Sequence, residues 1–204
     1  MGYEPGYAYP VLVWLHGPGA DEHQLRRIMP QVSLRNYVAV APRGTRCAAE
    51  QQRGFCWSPE VVDRDLAAQR VAEALRLVRE QYYVHPQRVF LAGYDTGGTV
   101  ALQLALAWPE QFAGVISIAG ALPRMAGTLR RWHQVRRLPI LLICGRYSHR
   151  YPCRQVQQNL QLLFCAGLDV TVREYPCGQE LRQEMLGDMN RWIMELLQRQ
   201  QETA

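Results

Sequence analysis

The chain has 204 residues, 48% of them hydrophobic, and a net charge of +5, which suits one globular domain able to bury a core. No apolar run nears the ~20 residues of a transmembrane helix, and Met1-Gly2-Tyr3-Glu4-Pro5 has neither the basic nor the apolar region of a signal peptide, so the expectation is a cytoplasmic protein with no membrane span. All 23 basic residues are arginine. They are spread along the chain, densest at Arg130, Arg131, His133, Arg136 and Arg137, and with no nucleic-acid motif beside them they read as a solvated face, so no nucleic-acid partner is expected.

In chain order, residues 10–15 form an apolar run closed by His16-Gly17 and read as a buried strand. Residues 37–41 give a second strand, closed by Pro42-Arg43-Gly44. Residues 61–82 predict a long helix whose apolar stripe is Val62, Leu66, Ala67, Val71, Ala74, Leu75, Val78 and Tyr82. A strand at 89–92 leads into a helix at 96–107, which Trp108-Pro109 ends. Strands at 115–119 and 140–144 follow, then a helix at 154–166 with Gly167 as its C′ residue. A last strand at 170–175 and a closing helix at 180–200 complete the order. Strands alternating with helices, and too apolar to face water, predict an α/β fold: a mostly parallel central sheet with helices on both faces.

None of the six cysteines sits in a CxxC pair, so a zinc site is not expected; no other metal and no cofactor is expected either. Cys144 and Cys165 fall on apolar faces. Cys47 with Cys56, or Cys153 with Cys177, could meet between loops, but free thiols are the expectation for a cytoplasmic chain.

The chemistry-bearing feature is Val89-Phe90-Leu91-Ala92-Gly93-Tyr94-Asp95-Thr96-Gly97-Gly98. An apolar strand enters a glycine-flanked turn and a helix follows, which is the layout of a nucleophile elbow, G-x-S-x-G. Asp95 stands where a hydrolase has serine. Taken structurally, Asp95 is a helix N-cap that tolerates the strained, positive-φ backbone of such a turn.

His16-Gly17-Pro18-Gly19 after one strand, Pro42 after the next, Phe55-Cys56-Trp57 in a loop, and Val84-His85-Pro86-Gln87-Arg88-Val89 running on to Gly93 resemble the phospholipase/carboxylesterase group of α/β-hydrolases. That group includes small esterases and acyl-protein thioesterases. The resemblance covers about residues 9–197 and implies an α/β-hydrolase fold over residues 1–204, one domain in a chain that could be cut from a longer one. Members usually carry two or three short strands ahead of the His-Gly strand. Here about eight residues precede it, so those strands are expected to be shortened or absent.

The resemblance also implies where the catalytic parts belong. The elbow serine position is Asp95. The Gly-x-x-Asp pattern after the next-to-last strand becomes Gly145-Arg146-Tyr147-Ser148 and puts Ser148 at the acid. The Gly-His pattern after the last strand becomes Gly178-Gln179 and puts Gln179 at the base. Oxyanion donors in this chemistry are backbone N–H groups, at positions held here by Thr96 and by Pro18, which has no N–H. Trp57, Phe55, Tyr94, Tyr147 and Tyr151 are candidates to line the old acyl pocket. Arg146 and Arg150 suggest an anion-binding rim, so Trp57, Tyr94, Arg146, Tyr147 and Arg150 are the expected ligand-binding set.

Two functions stay open. One is a catalytically degenerate relative that binds a small polar ligand, or that serves as an interaction module through self-association or a flanking domain. The other is an active hydrolase of esterase or dehalogenase type, with Asp95 as nucleophile and His149 as base.

Overall fold

The apolar runs become parallel neighbours. In the computed structural model, which describes residues 3–47, 53–123 and 132–202, β1 (Tyr9–Leu15), β2 (Val38–Val40), β5 (Val84–Tyr94), β6 (Gly114–Ile118), β7 (Ile140–Gly145) and β8 (Val170–Tyr175) form one sheet in the order β2-β1-β5-β6-β7-β8. Every pairing in it is parallel. Among the described residues no strand precedes Tyr9. Arg130 and Arg131 of the basic group lie outside the described residues.

The two-residue period of each strand feeds two cores. Val11, Val13, Leu15 and Leu91 face α2 (Val61–Gln81) and α3 (Thr96–Ala107), meeting Val71, Leu75 and Leu102. Leu12, Trp14, Phe90 and Ile116 face α1 (Gln24–Val32) and α6 (Gln183–Glu202), meeting Ile28, Met189 and Ile193. Burying a side chain of this size is worth about 1.5–3 kcal/mol relative to exposure, so both layers matter. The short α4 (Trp132–Val135) and α5 (Cys153–Cys165) complete the helices. Gly167, at φ 71°, closes α5 as expected, with Gly167 N–H donating to Phe164 O at 2.8 Å and Leu168 N–H to Leu163 O at 3.1 Å.

Several expectations need correction. Helix α1 was not among the expected elements; its Pro30 lies in the last turn, and Ile28 and Val32 bury their faces. Strand β5 starts at Val84, five residues early. Its pairing with β1 is irregular between Tyr9 and Val11, where Pro86, lacking an N–H, is tolerated. Helix α6 starts at Gln183 rather than 180, because Gln179 is drawn into polar contacts at the end of the sheet. Leu66 on α2 falls off the buried stripe at 39% exposure, and Tyr82, expected to extend it, lies just past the helix end at 40%.

A small antiparallel hairpin pairs β3 (Thr45–Arg46) with β4 (Phe55–Cys56). It brings the Cys47 and Cys56 Cα atoms to 5.2 Å, and the two form a disulfide, against the expectation of free thiols. Cys177, the candidate partner of Cys153, is a buried free thiol; Cys144 is also buried, while Cys165 is exposed rather than buried. No helix among the described residues is long and apolar enough to cross a membrane.

Candidate functional site

The carboxyl ends of β1, β5, β6, β7 and β8 deliver the turns that build the site. At the end of β5 the chain reverses sharply into α3. A Cβ on Gly93 would stand 2.4 Å from the Gly97 carbonyl carbon, and one on Gly97 would stand 2.3 Å from Leu15 O, so only glycine lets strand and helix approach this closely. Asp95 sits at the apex with φ 53° and ψ −121°, a strained conformation for any residue with a side chain. It occupies the N-cap position, but its side chain makes no capping hydrogen bond.

The carboxylate turns away from the helix and into a polar network. Arg150 Nη1 donates to Asp95 Oδ2 at 2.6 Å, and Gln179 Nε2 donates to the same oxygen at 3.1 Å. Gln179 Nε2 also donates to Ala119 O at 2.9 Å. Its Oε1 accepts from Ser148 Oγ at 2.5 Å, while Ser148 Oγ accepts from Tyr151 N–H at 3.1 Å. The Tyr94 hydroxyl donates to Gln179 O. Asp95, Gln179 and Ser148 thus form one hydrogen-bonded chain, at the three positions where the resemblance puts nucleophile, base and acid. Ala119 has a φ of 55°, and it and Asp95 are the two non-glycine residues with positive φ among those described. Both touch Gln179, so the strained backbone converges on one amide side chain.

The turn after β1 is equally committed. His16 is fully buried. Its Nδ1 lies 2.9 Å from Gly17 O and its Nε2 accepts from Gly44 N–H at 3.0 Å, which fixes the Nδ1–H tautomer. Burial pushes its pKa below the ordinary 6.5, against the opposing pull of the Gly17 carbonyl, Asp21 and Glu22. Gly17 N–H donates to Gln24 Oε1 at 3.1 Å and Gly19 N–H to Phe55 O at 2.9 Å. Pro18, between them, has no N–H. Thr96 opens α3, where backbone N–H groups point out of the helix end.

A cavity of about 460 Å³ opens beside Asp95, lined among others by Glu60, Thr96, Gln103, Arg150 and Tyr151. Thr96 Oγ1 and Gln103 Oε1 have no protein hydrogen-bond partner among the described residues. Burial raises the Tyr151 pKa, while its hydroxyl accepts from Asn159 Nδ2 at 2.8 Å.

Of the expected ligand-binding set, the cavity takes Arg150 alone. Trp57 is 4% exposed and packs against the His16 ring and the core. Tyr94 lies under Gly17, its ring where a Cβ there would fall. Arg146 pairs with Glu174 at 2.6 Å on the edge strand β8. Tyr147 is 59% exposed. Tyr151 does line the cavity, whereas Phe55 lies under the Arg43 guanidinium. His149, the alternative base, is exposed, and it is the neighbouring Arg150 that reaches Asp95. Gln103, unmarked by any motif, was missed; its place on the first turns of the post-elbow helix was the available signal. Asp21, Glu22 and His23 are the group among the described residues that could offer three metal-ligand atoms within 4.8 Å of one another, but Glu22 is already held by Arg43, which keeps its carboxyl down at about 2.

Comparison with known proteins now bears on this geometry. The sequence pattern described as Phospholipase/Carboxylesterase matches residues 6–197. The chain belongs to this family. Within it, the chain is similar to NocK of Nocardia uniformis subsp. tsuyamanensis, named as an esterase, with 31% identity over 144 residues. That match covers 67% of this chain and 39% of NocK, so the chain spans well under half of that relative. MhqD of Bacillus subtilis, named as a hydrolase, is 26% identical over 211 residues, covering 96% of this chain and 98% of MhqD. The crystal structure of Arabidopsis thaliana SOBER1 superposes with a TM-score of 0.75 at 20% identity, covering 93% of this chain and all of that one. The fold is therefore the α/β-hydrolase fold, with a six-stranded parallel sheet between helices.

Proposed function

We propose that this member of a hydrolase family has exchanged ester hydrolysis for the binding of a small polar or zwitterionic ligand beside Asp95. The observation that carries the reading is the chain Asp95–Gln179–Ser148. It keeps the connectivity of a triad, yet an amide sits where the reaction needs a group that takes and returns a proton near neutral pH. Asp95 is held by Arg150 and Gln179 rather than by a base. The N–H groups of Gly17 and Gly19 are spent on Gln24 and Phe55, and Pro18 has none to give. A tetrahedral intermediate would have Thr96 as its single candidate backbone donor in this arrangement.

Ligand chemistry follows from what lines the cavity. Asp95 and Glu60 accept, Arg150 donates, and Thr96 and Gln103 offer oxygens without a partner among the described residues. The Arg150 side chain is 57% exposed, so it can turn from Asp95 toward an incoming carboxylate while Asp95 receives an ammonium group.

Hydrolysis of p-nitrophenyl esters with short and long acyl chains tests the first half, run beside Asp95→Ala. The expected result is no turnover that Asp95→Ala removes. Turnover abolished by that substitution overturns the reading and favours Asp95 as a nucleophile. Asp95→Ser alone should stay inactive. Asp95→Ser with Gln179→His and Ser148→Asp should give weak esterase activity, and adding Pro18→Leu should raise it by about 10²-fold, the scale of one oxyanion donor. Thermal-shift screening of amino acids and related zwitterions tests the second half: a ligand at a hundredfold excess over its Kd adds about 2.7 kcal/mol of stability, and the shift should vanish in Arg150→Ala and Asp95→Ala.

A further inference from the structure

Helix α2 carries a surface that the described chain leaves open. Leu66 and Leu77 are 39% and 43% exposed. Arg70 and Glu73 come between them, at spacings of four, three and four, so the four side chains form one stripe along the helix. Beside the stripe runs a mainly apolar groove of about 440 Å³, floored by Val40, Ala41 and Pro42. That floor is the end of β2, the edge strand, which pairs with β1 alone among the described residues.

The order of residues along the stripe says what covers it. Read from either end it runs leucine, charge, charge, leucine, and the two charges are opposite. Antiparallel packing about a two-fold axis between residues 71 and 72 sets each residue against the one equally far beyond the axis. Leu66 then meets Leu77 of the second copy, Arg70 meets Glu73, and Gln69 meets Ala74, each contact occurring twice, as an isologous interface requires. Parallel packing in register would instead set arginine on arginine and glutamate on glutamate. We propose that this chain forms a two-fold dimer through α2, with leucine pairs at both ends of the seam and reciprocal Arg70–Glu73 ion pairs at its centre.

The present contacts of these charges leave room for the new ones. Arg70 Nη1 donates to Arg43 O at 2.8 Å, and Glu73 pairs with Arg76 at 2.7 Å. Both contacts are exposed, a guanidinium has further N–H groups, and a carboxylate has further lone pairs. One turn out from the seam Asp63 would face Glu80 of the second copy, a like-charge contact that Arg76, shared between Glu73 and Glu80, offsets only in part. The proposal is independent of what occupies the cavity at Asp95.

Sedimentation equilibrium of the full chain across micromolar concentrations reads the oligomeric state, with a thermal melt confirming that each variant folds. Wild type should be dimeric. Leu66→Glu and Leu77→Glu should each be monomeric and still melt cooperatively, with a midpoint lowered only by the lost association and no longer dependent on concentration, since both positions are exposed in the single chain. Arg70→Glu and Glu73→Arg should each weaken association. The double variant R70E/E73R should restore it, and so should mixing the two single variants, because both arrangements recover opposite charges across the axis. A wild type that stays monomeric overturns the proposal and leaves the groove to another partner. A dimer that survives Leu66→Glu, or charge reversals that fail to rescue each other, place the interface elsewhere and overturn it equally.

Discussion

On the β5–α3 side of the cavity, Gly93, Asp95 and Gly97 are fixed by steric closeness: strand and helix touch through glycine, with backbone atoms filling the space a Cβ would need. On the opposite side, the loops after β7 and β8 are fixed by polar contacts, with Arg150, Ser148 and Gln179 bound to one another or to Asp95. The first side matches what a nucleophile elbow demands of any sequence. The second is where the proposed function places its change of chemistry. The backbone of the turn and the side chains facing it are thus held by different forces, and on the proposed reading the second can change while the first is kept.

The difference is broken most sharply at Gly97. Gly97→Ala would put a Cβ 2.3 Å from Leu15 O and 2.5 Å from His16 O, and neither carbonyl can move without shifting β1. The expected loss is about 3 kcal/mol, the upper range for overpacking, read from urea unfolding of variant and wild type. A loss below about 1 kcal/mol would mean that the elbow relaxes, and that its steric definition is weaker than the contacts imply.

The polar side should respond less and differently. Gln179→Ala leaves Ser148 Oγ without its acceptor and Ala119 O without its donor, and removes one of two donors to Asp95. The expected cost is about 2 kcal/mol. Gln179→Glu should be worse than Gln179→Ala despite its closer size, because it sets a carboxylate against Asp95 and the Ala119 carbonyl. Equal stability of the two variants would show that Gln179 is a passive filler.

This division also governs what the sequence could reveal. The elbow was legible because glycine spacing and an apolar strand are local signals, and α3 begins and ends where residues 96–107 predict. Ser148 and Gln179 were legible through motif position, since β7 and β8 end where the pattern requires. Which neighbour in the 146–151 loop would reach Asp95 was not. Consecutive side chains in an irregular loop point in directions set by its turn, here fixed by Tyr151 N–H on Ser148 Oγ, and that turn presents Arg150 while leaving His149 exposed. Of the aromatic candidates Tyr151 lines the cavity and the other four do not, for a related reason. Trp57 and Tyr94 are large enough to be recruited into packing around the His-Gly turn, and sequence spacing does not distinguish a pocket wall from a core.

Arg150→Ala sharpens the comparison further. The Arg150 side chain is 57% exposed and that of Asp95 10%, so the pair lies between a surface bridge and a buried one. Discounting for the exposed partner, its loss should cost about 1 kcal/mol. Adding Asp95→Asn should recover part of that loss, because the neutral amide no longer needs the guanidinium. A double-mutant cycle on thermal or urea unfolding reads the coupling directly. Simple additivity of the two substitutions would mean that the ion pair contributes nothing to the site.

The smallest effect belongs to His16, a buried titratable group on the sterically held side. Its folded-state pKa lies below the ordinary 6.5, chiefly because burial penalises the imidazolium, with Arg43 adding to the shift while the Gly17 carbonyl, Asp21 and Glu22 oppose it. As pH falls past 6.5 the unfolded chain takes the proton first, so the unfolded state gains relative to the folded one. The His16 contribution is therefore fully present above pH 6.5 and is lost progressively as pH drops toward the folded-state value. Protonation would also turn Nε2 from the acceptor of Gly44 N–H into a second donor, breaking the tie between the His-Gly turn and the loop after β2. Unfolding free energies measured between pH 7.5 and 5 should decline more steeply in wild type than in His16→Asn, whose amide can both donate and accept but does not titrate. Parallel slopes in the two proteins would mean that the imidazole does not carry the acid sensitivity of this pH range.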